Sequence, residues 1–389
     1  MKKTKAIAFL AISTLMMAIF GGCSQTTSKD SNTIRIGLNY ELSGAAATYG
    51  QSSVEGIELA IEEINKAGGL NGKKIQAVKY DNKSEEAEAT TLSTRLMTQD
   101  KVSAVLGPAT SGAFKATIPV SDQNKTPVLS GSATADDVTV DKTGVKQYAF
   151  RICFMDSAQG QAMARYAIGN LGKKKAVIIR DSSNDYSKGL TESFTKTFKK
   201  AGGTIVKQEA YVKGDTDFNA ILTSVRNQDF DVIFIPGYYE EAGLIIKQAR
   251  AQGIDVPILG ADGFDSPKLA ELAGADALSS VYFSNHYSNL DDNPTVQEFL
   301  KAFQAKYKKE PDAFNALGYD LAKLTVQAIG RAEKQDGESI KSALEDTKDF
   351  EGVTGKIRLD KNHNAVKDTV VINLENGKQA SSERIHPED

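Results

Sequence analysis

The residues of this 389-residue chain that could do chemistry are hydroxyls, aromatics and a carboxylate set in short glycine-bearing segments. Gly107-Pro108-Ala109-Thr110-Ser111-Gly112 leads toward a helical pattern at Ala113, and Ser130-Gly131-Ser132-Ala133-Thr134 and Gly260-Ala261-Asp262-Gly263 are of similar character. Tyr49, Tyr186 and Tyr238 stand in three further segments of this kind. A helix start with Ser111 beside it offers backbone N–H groups, a hydroxyl and the positive end of the helix dipole, a seat for a carboxylate. Ser132 and Thr134 can add N–H and O–H donors. Asp262, followed by Gly263, is a candidate fixed acceptor for an ammonium, and the tyrosines would supply apolar faces with polar rims. A zwitterionic amino acid satisfies all of these at once, whereas a neutral sugar would ask for more amides and acids.

Each piece also has a role that needs no ligand. Ser111 and Thr134 are of types that cap helices, Asp262 suits turn chemistry, and any one tyrosine can be packing. What favours binding is that the pieces all follow strands.

Catalysis lacks its usual signatures. Gly107 to Gly112 has the glycine spacing of a phosphate-binding loop, but Ala113 and Phe114 stand where Lys and Ser/Thr are needed. There is no Gly-x-Gly-x-x-Gly after a strand and no Gly-x-Ser-x-Gly elbow. The histidines, His286, His363 and His386, lack metal-ligand spacing. The chain is therefore expected to be no enzyme and to take no cofactor or metal. With 47 Lys and Arg against 50 Asp and Glu and no basic block, nucleic-acid binding has no footing.

Such loops need strands that end where they begin, and the pattern supplies them. Ile34, Ile36 and Leu38 alternate as a strand does, and Val54, Ile57, Ile61 and Ile64 recur at helical spacing up to Gly68-Gly69. Asn71-Gly72 turns into a strand at 75–80, a helix follows over 85–99, and 102–106 reads as a strand buried on both faces. The order restarts near Lys175, with strands over 176–179, 204–211 and 232–235 and helices over 187–201, 217–226 and 240–252. Lys66-Ala67-Gly68-Gly69 and Lys200-Ala201-Gly202-Gly203 close the first helix of each half. Alternating strands and helices predict an α/β fold of two doubly wound parallel-sheet lobes, with ligands outside the carboxyl ends of the strands. Two such lobes side by side would face those ends across a cleft.

The N-terminus bears on compartment. Lys2, Lys3 and Lys5 precede the uncharged apolar stretch 6–20, which suits a signal peptide better than a membrane span. Gly21-Gly22-Cys23 resembles the lipobox of bacterial lipoproteins, so lipid on Cys23 and an anchored extracytoplasmic protein are expected, with 24–32 as a polar tether. Without those three lysines the 47 cations fall to 44 against 50 anions, a net charge of −6. If Cys23 carries lipid, Cys153 has no disulfide partner and is expected in the core.

The sequence resembles the leucine/isoleucine/valine-binding proteins, type I periplasmic-binding-fold receptors of branched-chain amino-acid transporters. The resemblance runs through Leu42-Ser43-Gly44 with Tyr49-Gly50, Glu62-Glu63-Ile64-Asn65-Lys66-Ala67-Gly68-Gly69, Gly107-Pro108-Ala109-Thr110-Ser111, Ser132-Ala133-Thr134, Asp185-Tyr186-Ser187-Lys188-Gly189, Pro236-Gly237-Tyr238-Tyr239, Gly260-Ala261-Asp262-Gly263 and Asp349-Phe350-Glu351-Gly352-Val353-Thr354-Gly355. It implies a monomer that delivers a branched-chain amino acid to ABC-transporter permease subunits and touches the membrane only through its lipid. It also implies that Ser111 and Thr134 bind the ligand's carboxylate and amino groups, with backbone contacts from Ser132. Asp262 stands where the family commonly has Glu for the ammonium. Tyr49, Tyr186 and Tyr238 match aromatic positions around the ligand, and Phe314 falls near one lining the side-chain pocket. Three crossings between lobes are implied, near Asp156, Asn285 and Leu359. They divide the chain into a signal peptide (1–22), an anchor and tether (23–32), a first lobe (33–155 with 287–358) and a second (156–286 with 359–389). The same fold with an altered pocket would take another amino acid, an amide or urea.

Overall fold

The computed structural model describes residues 32–385; the signal segment, Cys23, most of the tether and His386 lie outside the described residues. Two sheets organise the chain. The first has five parallel strands in the order Lys74–Asp81, Thr33–Tyr40, Ala104–Leu106, Val128–Ser130, Ala149–Arg151. Its inner strands are almost wholly buried, while the edge strand Lys74–Asp81 keeps exposed positions. This is the burial expected where helices cover both faces of a parallel sheet.

The second sheet has seven strands, in the order Lys378–Ile385, Thr369–Glu375, Val281–Asn285, Ile258–Gly260, Val232–Phe234, Lys175–Asp181, Thr204–Tyr211. Five run parallel, as expected, but Thr369–Glu375 and Lys378–Ile385 add an antiparallel hairpin to one edge. The hairpin turns through Asn376 and Gly377, both at positive φ (50° and 72°), the geometry that two-residue hairpin loops require.

The chain passes between the sheets three times. It leaves the first after Arg151 and enters the second at Lys175. After Asn285 it returns through the helices Pro294–Tyr307 and Ala313–Arg331, the second of which packs along the helix Ala47–Lys66. A small antiparallel sheet of Phe350–Gly352, Gly355–Leu359 and Ala365–Val366 follows, and the chain rejoins the second sheet at Thr369. Residues 360–366 thus stay beside the first sheet, where the Arg151 N–H donates to the His363 carbonyl at 3.2 Å.

The two packed helices touch backbone to backbone. A Cβ on Gly56 would lie 1.9 Å from the Asn315 carbonyl oxygen, and one on Gly318 would lie 2.1 Å from that of Ser53. Only paired glycines permit this approach, and it brings Tyr49 and Phe314 face to face. Cys153 is a buried free thiol, and burial pushes it up to about 12. Among the described residues, no helix is long and apolar enough to cross a membrane.

Candidate functional site

Loops from both sheets meet around a cavity of about 220 Å³ of atom-free space. Tyr49, Ser132, Tyr186, Tyr238, Asp262 and Phe314 line it together with Ala109, Thr110 and Gly263. Ser111 and Thr134, the other two residues singled out from the sequence, are fully buried in the same loops but are not on its wall.

The aromatic wall is built from both halves. Tyr49, near the start of its helix, stacks on Phe314 with centroids 4.3 Å apart and meets Tyr238 edge-on at 5.6 Å. Tyr238 in turn stacks on Tyr186 at 4.9 Å. The Tyr49 hydroxyl crosses the cleft, donating to the Gly263 carbonyl at 2.5 Å and accepting from the Tyr239 N–H at 3.3 Å. Nearby, the hydroxyls of Thr48 and Ser266 meet at 2.9 Å, and Lys115 reaches Asp185 at 2.8 Å. These are contacts of a closed cleft.

Ser111 is the first residue of the helix Ser111–Asn124, and its hydroxyl accepts from the Ala135 N–H at 3.0 Å, so it ties two loops and caps nothing. Thr134 precedes no helix, and its hydroxyl has no hydrogen-bond partner. The capping role open to both on sequence is therefore not the one they have. Ser132 donates its hydroxyl to the Ala109 carbonyl at 2.9 Å, binding its loop to the one before Ser111. Arg151 holds that loop from behind, donating to the carbonyls of Ala133 (3.2 Å) and Ala135 (2.8 Å).

Glu41 escaped the sequence reading although it adjoins Leu42-Ser43-Gly44. Fully buried, it accepts the N–H groups of Ala109 and Thr110 at 3.0 Å each and the Thr110 hydroxyl at 2.8 Å. Burial raises its carboxyl, against these donors, which favour the anion. The N–H groups just before the helix Ser111–Asn124 thus serve the protein's own acid.

Asp262 opens a short 3-10 turn, Asp262–Phe264, and is 3% exposed. Its Oδ1 accepts from the Tyr186 hydroxyl at 2.8 Å, and its Oδ2 lies 3.4 Å from His286 Nε2. The Tyr186 hydroxyl also accepts from the Gly263 N–H at 3.0 Å, so the tyrosine is held at both ends of that turn. His286, stacked on Phe154 at 3.8 Å, is pushed down to about 4 by burial and stays neutral at ordinary pH. With its proton on Nε2 it can only donate to the carboxylate. Nothing in its spacing marked it; the strand end at Asn285 puts it there.

The arrangement is a small chamber with hydroxyl-bearing loops on one wall, an acid on the other and rings between. Such a chamber, closed between two sheets at the carboxyl ends of their strands, defines a two-lobed ligand-binding protein. Comparison with known proteins agrees. A family model described as periplasmic binding protein matches residues 33–379. The branched-chain amino acid transporter substrate binding protein LivJ from Streptococcus pneumoniae, solved in complex with isoleucine, is 44% identical; the match covers 91% of this chain and 99% of that one, with a TM-score of 0.87. The Leu/Ile/Val-binding protein BraC3 of Rhizobium johnstonii is 32% identical over 83% of this chain and 86% of its own. A solute binding protein of an ABC transporter from R. palustris, solved with benzoate, is 26% identical over 91% of this chain and 96% of that one, with a TM-score of 0.81. The chain belongs to the periplasmic binding protein family.

Proposed function

We propose that this protein captures a branched-chain amino acid in the cleft between its two sheets and hands it to the permease of an ABC importer. The observation that carries the reading is the opposition of Asp262, on the second sheet's loops, to the hydroxyl-bearing loops of the first across a chamber walled by four aromatic rings. In this reading Ser111, Thr134 and the Ser132 backbone take the carboxylate and share the amino group, and Asp262 takes the ammonium. Tyr49, Tyr186, Tyr238 and Phe314 enclose an aliphatic side chain. The similarity to an isoleucine-bound transporter protein at 44% identity supports this choice of ligand.

Residues 33–155 with 287–366 form one lobe and 156–286 with 367–385 the other, closing about the three passages between the sheets. The third passage falls after Val366 and not near Leu359, because His363 and Asn364 bond to Arg151 of the first sheet. Lipid on Cys23 would hold the protein outside the membrane within reach of the permease. No chemical step is assigned, because binding and release complete the task.

Isothermal titration calorimetry of the chain from Ser24 onward, refolded after denaturation to strip captured ligand, tests this. One-to-one binding of leucine, isoleucine or valine is expected. Binding only of polar amino acids, amides or urea would keep the receptor and change its cargo. Binding only of aromatic acids would move it beside the benzoate-bound relative.

A further inference from the structure

Two acids from opposite halves meet at one helix end, away from the chamber wall. The turn that begins at Asp262 continues through Asp265 and Ser266 and docks on the first half at three points. The Gly263 carbonyl takes the Tyr49 hydroxyl, the Ser266 hydroxyl meets that of Thr48, and Asp265 Oδ2 accepts from the Ala313 N–H at 2.7 Å. Ala313 is the first residue of the helix Ala313–Arg331, whose N-cap is Asp312. Asp312 accepts from the Asn315 N–H at 3.0 Å and from the Ser52 hydroxyl at 2.6 Å. One helix end is thus shared by two carboxylates, one belonging to the helix and one brought across the cleft. Asp265 is set for this from its own side, since the same Oδ2 accepts from Asn285 Nδ2 at 2.9 Å, where the chain leaves the second sheet.

Each acid alone suits the positive end of the helix dipole; together they repel. Among the described residues, neither carboxylate is in an ion pair. Lys309, which draws on Asp312, is paired with Glu55 at 2.8 Å. The other groups around the pair are acids or neutral. Asp262 stands on the same turn, Glu310 lies two residues before Asp312, and the Tyr287 hydroxyl is engaged by Asn289 Oδ1 and the Pro311 carbonyl. His286 turns its Nε2 to Asp262 and is neutral. Both members of the pair are partly buried. Burial, and after it Asp265, pushes Asp312 up to about 7, and burial raises Asp265. In an open cleft the turn withdraws, and both carboxylates regain water and ordinary values near ~4.

We infer that closing the cleft takes up a proton, shared by Asp265 and Asp312, so that the protein grips its ligand more tightly in acid than in alkaline surroundings. The inference rests on the amino-acid reading for the ligand that closes the cleft. The proton's contribution to affinity is whole below the open-cleft value and is lost as pH rises through about 7. Between pH 6 and pH 8 that loss amounts to about tenfold. His286 works the other way, because burial in the closed form pushes it down. Variants are therefore compared with the wild type at each pH.

The test is leucine calorimetry at pH 6 and pH 8, in buffers of different ionisation enthalpy, which counts the protons exchanged. Asp265→Asn and Asp312→Asn each keep an oxygen for the backbone N–H and remove one charge of the pair. At pH 6 the wild type should take up nearly one more proton per leucine than either variant. From pH 6 to pH 8 it should lose about tenfold more affinity than they do. A merely structural contact would weaken binding alike at both pH values. Equal proton uptake in the wild type and either variant, or an equal pH dependence, overturns the inference. Should the variants fail to fold, carbon-13 NMR of the wild-type aspartate carboxyls takes their place. Leucine should move the titration of the pair upward toward neutral pH, and a titration indifferent to leucine overturns the inference. No leucine binding at all overturns the amino-acid reading and takes this inference with it, whereas binding without the extra proton overturns this inference alone.

Discussion

Replacing Asp262 with alanine is the sharpest test of the proposed ligand chemistry. The carboxylate is 3% exposed and accepts from Tyr186 at 2.8 Å. Truncating one partner of a buried, hydrogen-bonded charge pair costs about 2–5 kcal/mol of binding, so leucine affinity should fall at least ~30-fold. The unliganded protein feels two changes of opposite sign. Tyr186 loses its acceptor but keeps the Gly263 N–H, and Asp156 loses a like charge beside it. The diagnostic quantity is therefore the leucine-dependent gain in stability. With leucine at about 1,000 times the wild-type Kd the wild type gains about 4 kcal/mol, and a variant bound ~30-fold more weakly gains about 2 kcal/mol at the same concentration. Calorimetry gives the affinity, and denaturant melts with and without leucine give the increment. A folded Asp262→Ala variant with wild-type affinity and increment would refute the placement of the ammonium at this wall.

Further outcomes follow from the same geometry. Ser111→Ala removes a hydroxyl that accepts one backbone N–H, and should cost about 1 kcal/mol of leucine binding, well below Asp262→Ala in the same titration. Gly318→Ala forces a Cβ to within 2.1 Å of the Ser53 carbonyl oxygen; urea melts should show a loss of about 1–3 kcal/mol, and leucine binding should weaken as Tyr49 and Phe314 separate. His286 is pushed down to about 4 from an ordinary value near 6.5, so its contribution to stability is whole above about 6.5 and is lost as pH falls through that window. Between pH 7 and pH 4 the wild type should lose roughly 3 kcal/mol more than His286→Gln, measured by denaturant melts at each pH. Equal losses would mean that His286 does not stay neutral inside.

Much of the fold was legible because strand and helix periods are local. The strand at Thr204–Tyr211 and the turn at Asn71-Gly72, whose two residues are at positive φ, stand where the pattern put them. The antiparallel hairpin at the C-terminus was not read. Lys378–Ile385 is an exposed edge with little apolar alternation, and the other arm of the hairpin, Thr369–Glu375, joins the sheet beside Val281–Asn285, which is remote in sequence. Six of the residues singled out from the sequence line one chamber, because loops that follow parallel strands must gather at one end of each sheet. Glu41, Asp265 and His286 were illegible for the opposite reason. Each is defined by what surrounds it: backbone donors from a distant loop, a neighbouring acid, or a stacked ring. None of these has a spacing to betray it.

The seam formed by the Tyr49 hydroxyl, the Thr48–Ser266 pair and the Lys115–Asp185 pair bears on time as much as on affinity. With Tyr49 bonded across the cleft, one half supplies part of the wall and the other half the rest. A ligand inside cannot leave faster than the seam opens, and its residence time is set by contacts it never makes. Changes at Thr48, Ser266 or Lys115 should alter dwell time while leaving the ranking of ligands untouched. A permease that pulls on this seam would empty the chamber without competing for the ligand at all.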